Sequence, residues 1–131
     1  MSSQAVVLLG GISAVLALDT LGSLASRRRG FSYGRLAPVS YVIWALTGAA
    51  AARVNAAAVG SPFVAGAMAG GLVGLVDATL GWWISWRLGP GRLPPERVTA
   101  RLMTQIVFLV GIRATAFGAA GGLIASLLAP A

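Results

Sequence analysis

Residues 63–86 read FVAGAMAGGLVGLVDATLGWWISW, with Arg87 immediately after. Asp77 is the sole charged group in that run of small, aliphatic and aromatic side chains. A bilayer-crossing helix needs about 20 largely apolar residues. Lipid offers bare backbone N–H and C=O groups no partner, so a run of this length reads as a membrane-spanning helix. Working outward, three more runs carry the same signature. They cover residues 4–25, interrupted by Asp19; 36–52, bracketed by Arg35 and Arg53; and 101–128, with Gln105 and Arg113 inside. The expected fold class is therefore an all-α integral membrane protein, with residues 1–131 forming one bundle of four transmembrane helices.

Composition agrees with this reading. The 131 residues are 57% hydrophobic and only 10% charged, against about 25% charged in soluble domains. Ten arginines against three acids give a net charge of +7, but a mean hydropathy of +0.85 argues against a nucleic-acid-binding domain. The absence of Cys and His removes disulfides, thiolate chemistry, histidine metal or haem ligation and the usual acid–base catalyst. No enzyme activity, cofactor or metal is expected.

Arginine placement sets the expected orientation. Arg27, Arg28, Arg29 and Arg35 lie between the first two spans, and Arg87, Arg92, Arg97 and Arg101 lie between the last two or at their junction. Arg53 alone lies between the middle spans, a bias of eight to one. By the positive-inside rule the first and third connections are cytoplasmic and both termini face outward, in a bacterial cytoplasmic membrane. The first span follows Met1-Ser2-Ser3-Gln4, which lacks the basic n-region of a cleaved signal.

The ends of the spans are punctuated accordingly. Trp82, Trp83 and Trp86 at one end, with Phe31, Tyr33 and Tyr41 near another, fit interfacial belts. Residues 88–95 read LGPGRLPP and cannot be a helix interior. Pro94 and Pro95 suit a helix start, with Glu96 complementing its positive end. Arg97 and Arg101, four apart, would then share a face and join Arg27, Arg28 and Arg29 at the anionic lipid headgroups.

Spans one and three also resemble each other. Asp19-Thr20-Leu21-Gly22 in the first matches Asp77-Ala78-Thr79-Leu80-Gly81 in the third, with the aspartates one residue out of register. This suggests two tandem helical hairpins, parallel repeats about an axis along the membrane normal. Small residues recur every fourth position at Gly66, Gly70, Gly74 and Ala78, and at Ala114, Gly118, Gly122 and Ser126. Such stripes let membrane helices approach closely, so these glycines are assigned to helix packing in a tight bundle.

The costly residues are Asp19, Asp77 and Arg113. Counted from Arg27, Arg87 and Arg101 at a rise of about 1.5 Å per residue, they lie about 12, 15 and 18 Å inside. Each would cost about 2.5–3.5 kcal/mol against lipid, so they must face one another or water. One guanidinium for two carboxylates leaves the cluster short of one positive charge, which a proton, a cation or further donors could supply. Thr20, Thr79 and Gln105 are candidate donors. The expected function is transport of a proton, cation or small polar solute through this polar site, in a homo-oligomer or larger membrane complex contacting lipids and no nucleic acid. The alternative is a non-catalytic accessory or scaffold subunit, in which the same charges only fasten helices.

Overall fold

The computed structural model describes residues 1–89 and 94–128. Among the described residues all regular structure is helical, and four helical stretches are each long and apolar enough to cross a membrane. Helix α1 (Ser3–Arg29) starts where the Ser2 hydroxyl accepts from the Ala5 N–H, and stops at Gly30. Gly30 takes the left-handed conformation, φ 70°, that lets its N–H close onto the Ser26 carbonyl at 2.9 Å. The chain then makes a single 3₁₀ turn, Tyr33–Leu36, and runs straight into α2 (Ala37–Val59). Gly60, φ 77°, ends α2 in the same way, and Ser61 with Pro62 starts α3 (Pro62–Val76).

Helix α1 runs four residues beyond the expected end at 25, and three further features differ from the sequence reading. Helix α2 continues past Arg53 for more than a turn, because the alanine-rich segment after it is a good helix former and Arg53 extends from an exposed face. The third span is not a uniform α-helix. A π-turn, Asp77–Gly81, separates α3 from α4 (Trp82–Leu88), with the Trp82 N–H reaching back five residues to the Asp77 carbonyl. The last helix, α5 (Ala100–Leu127), starts at Thr99, whose hydroxyl accepts from the Leu102 N–H at 3.2 Å. Pro95–Arg97 form a separate 3₁₀ turn, so Arg97 and Arg101 do not share a helix face. The rigid Pro94-Pro95 pair sets that turn, and the hydroxyl cap at Thr99 outcompetes it as the helix start. Arg92 and the centre of the third connection lie outside the described residues.

Helices α2, α3 and α5 form the tight part of the bundle, and small residues are the reason. A methyl group added to Gly70 would lie 2.5 Å from the Ala114 carbonyl oxygen and 2.7 Å from the Gly118 Cα. Gly66 and Gly122 face each other across the same seam, Gly74 meets Ala114, and Gly118 also abuts Gly48 of α2. Helix α1 lies alongside α2, α4 and the π-turn and makes no close packing with α5. Packing between the two helical pairs is not two-fold symmetric, since α2 packs on α3 while α1 and α5 stay apart. Val15, Trp44, Val73 and Ala114 form the buried apolar centre. The large apolar residues left exposed, among them Leu9, Leu46, Leu72, Phe108 and Ile124, are distributed over all four spans, the surface expected of a protein solvated by lipid.

Candidate functional site

The two aspartates meet. Asp19 on α1 is 3% exposed, an extreme position for a carboxyl group. Its side chain lies against that of Asp77, at the start of the π-turn. The two converge over Gly81: a methyl group there would overlap Asp19 Oδ2 and sit 3.0 Å from Asp77 Oδ1. Gly81 is thus where the π-turn of the third span must lack a side chain for the carboxyl groups to touch.

The rest of the site comes from the chain that folds back after α1. The Tyr33 hydroxyl, carried by the 3₁₀ turn, donates to Asp19 Oδ1. Ser85 on α4 reaches the same oxygen at 3.4 Å. Asp19 Oδ2 is buried with no hydrogen-bond partner. Trp44 on α2 is also 3% exposed, and its indole N–H faces the Asp77 carboxyl without closing a hydrogen bond of normal geometry. A cavity of about 160 Å³ opens beside the pair, walled by Tyr33, Tyr41, Trp44 and Arg113 together with both aspartates. Gly34 and Arg113 on its wall are exposed, so the cavity reaches the bundle surface.

Arg113 is therefore near the acids but not bonded to them. Among the described residues no ion pair within 4 Å joins it to either aspartate. The reason lies in the packing of α5, which turns Ala114 into the seam and leaves Arg113, one residue away, at the edge of the bundle. The three supplementary donors do not reach the site. Thr20 gives its hydroxyl to the Leu16 carbonyl at 2.8 Å and Thr79 to the Leu75 carbonyl at 2.7 Å. A threonine in a membrane helix satisfies itself on the preceding turn, so its hydroxyl is spent before any neighbour arrives. Gln105 is exposed and two turns from Arg113 along α5, outside the cavity wall.

Tyr33, Ser85 and Trp44 were not among the polar-site residues expected from the sequence. Tyr33 and Tyr41 read as interfacial, but Tyr33 bonds a buried acid and Tyr41 stacks on Phe117 at a ring separation of 4.7 Å. The other aromatic group keeps its end-of-span setting: Trp82 stacks on Trp86 at 5.8 Å, and Arg87 lies over the rings of Trp83 and Trp86, 5.5 Å from each centroid. Arg27, Arg28, Arg29, Arg97 and Arg101 are all exposed. A larger apolar groove, about 560 Å³, lies on the outer face between α3 and α5 and contains no ionisable side chain.

Comparison with protein-family models, with curated proteins and with solved structures finds no match to this chain.

Proposed function

We propose that this chain is a small membrane transport protein that moves a proton, a cation or a small polar solute through a site built on Asp19 and Asp77. It sits in a bacterial cytoplasmic membrane with its arginine-rich ends inside. The observation that carries the reading is the contact between two carboxyl groups within the spans, next to a cavity that reaches the surface. Ionisable side chains at such depth are costly, and a purely structural clasp is better made from an acid and a base or from neutral hydrogen bonds. Two acids placed together instead make a site for something positive. Arg113 on the same wall tunes the charge of the cavity without neutralising it by direct pairing.

The test is flux in reconstituted vesicles. Asp19→Asn and Asp77→Asn should each reduce transport at least tenfold while the purified proteins keep their helical content. Undiminished flux in both folded variants would remove the carboxyl pair from the pathway.

A second reading, an accessory subunit of a larger membrane complex, draws on the groove between α3 and α5. Its lining includes Gly71, Gly111 and Ala67, small residues that admit a closely packed helix. Purification in mild detergent separates the readings. A second protein present in fixed ratio and lost on Gly111→Leu, which fills the groove, supports the subunit; a self-contained assembly supports the transporter.

A further inference from the structure

We infer that the species held at the site is a single proton, shared between Asp77 and the otherwise unpartnered Oδ2 of Asp19. The inference rests on the transport reading for its physiological role, but the bound proton is a property of the pair itself.

The geometry supports a proton in three ways. First, Asp19 Oδ1 already accepts from Tyr33 and Ser85, whereas Oδ2 is buried and has no donor. The group against that side is another carboxyl, which can donate only when protonated. An Asp77 O–H pointing at Asp19 Oδ2 completes the coordination of a buried acceptor with no movement of the helices. Second, two carboxylates in contact in a low-dielectric interior do not both stay ionised when one proton can serve both. Third, the charge then balances. One proton on two aspartates leaves −1, and Arg113 on the cavity wall contributes +1. The groups facing the pair from every packed element are Tyr33, Tyr41 and Trp44 of the second span, Ser85 of α4 and Arg113 of α5, and no third carboxyl is among them.

The donor set is poor for a metal cation. Hard cations such as Ca²⁺ take six or more oxygen ligands. No cluster of three or more Asp, Glu, His or Cys side chains suited to a metal occurs among the described residues, and the Tyr33 and Ser85 hydroxyls are committed as donors to Asp19. The exchange step is correspondingly simple. The O–H bond of Asp77 breaks, the proton passes to a water in the adjoining cavity, and two carboxylates remain until a proton returns. Trp44 faces Asp77 with a free N–H, a donor able to hold that carboxylate in the interval.

Infrared spectroscopy of the purified protein tests the inference directly. The chain has only three acidic side chains, and Glu96 is exposed, so carboxyl bands are few. At neutral pH the wild type should show the C=O stretch of one protonated carboxyl, shifted by H/D exchange and lost on raising the pH. Asp77→Asn should abolish it, because the asparagine amide takes over donation to an ionised Asp19. Absence of the band in the wild type at neutral pH, or its persistence in both Asp77→Asn and Asp19→Asn, would overturn the assignment. Vesicle flux distinguishes the two levels of the argument. Movement of Na⁺ or K⁺ through the pair, with no protonated-carboxyl band in the wild type, would overturn the proton and leave transport standing. The band with no flux of any kind would support the shared proton and remove transport.

Discussion

Tyr33 is the residue whose role changes most once the chain is folded. Its hydroxyl is a principal donor to a carboxyl group that is 3% exposed, with Ser85 the other at a longer 3.4 Å. In membrane proteins a side-chain hydrogen bond is worth about 0.6 kcal/mol on average and up to about 1.7. Tyr33→Phe keeps the ring against Gly22 and removes only the donor. It should therefore cost about 1 kcal/mol in reversible unfolding from detergent. If Tyr33 positions Asp19 for proton exchange, the variant should also shift the pH dependence of flux, which a merely structural contact would leave in place. At this scale Asp19 and Asp77 were legible because a charge inside an apolar run has few ways to be tolerated. Tyr33 was not, since its position near Arg35 equally suits a headgroup belt, and only the 3₁₀ turn after Gly30 brings it back onto α1. Thr20 and Thr79 misled for the opposite reason: side-chain type suggests a donor, and the helix itself consumes the hydroxyl.

Among the elements, the third span combines two devices that serve different purposes. Its first half is a glycine seam against α5, and its second is the π-turn that presents Asp77 and Gly81 to α1. The one-residue mismatch between Asp19-Thr20-Leu21-Gly22 and Asp77-Ala78-Thr79-Leu80-Gly81 falls inside that π-turn. The wider hydrogen-bonded turn from Asp77 to Trp82 holds one residue more than an α-helical turn would. Small-residue spacing made the seam readable from the sequence, whereas no local signal marks a π-turn, whose existence depends on what packs against it. The seam gives a clean test. Gly70→Ala directs a methyl at the backbone of α5, which cannot move aside as a side chain could, and should destabilise the bundle by about 1–3 kcal/mol. Gly10→Ala adds the same methyl within α1 where nothing lies within 4 Å, and should stabilise by about 0.5–1 kcal/mol, the helix-propensity gain of alanine over glycine. Equal effects in thermal or denaturant unfolding would mean that composition, not backbone approach, makes the glycines necessary.

For the whole molecule, the arrangement of charge connects the site to the membrane. The exposed arginines at the Tyr33 end of the bundle and the aspartate pair lie on the same side of the glycine seam between α2, α3 and α5, so the polar cavity approaches the surface near the basic end. The count of spans could be read in the sequence because it depends only on length and hydropathy. The departure of α1 from α5 could not, because it depends on which neighbours claim the small-residue faces: α5 presents Ala114, Gly118 and Gly122 to α2 and α3, while α1 packs on α2, α4 and the π-turn. The proposed orientation follows from the eight-to-one arginine bias and is open to a direct measurement, since the chain contains no cysteine to remove. Ser32 lies exposed in the first connection, and Ala58 is exposed at the far end of α2. In intact cells a membrane-impermeant maleimide should label Ala58→Cys, while Ser32→Cys should react only after permeabilisation. The reverse pattern would put the arginines outside, and with them the Tyr33 side of the carboxyl pair. Labelling of both sites in intact cells would mean that two orientations coexist, and a proton held by Asp19 and Asp77 would then be reached from opposite sides in different copies.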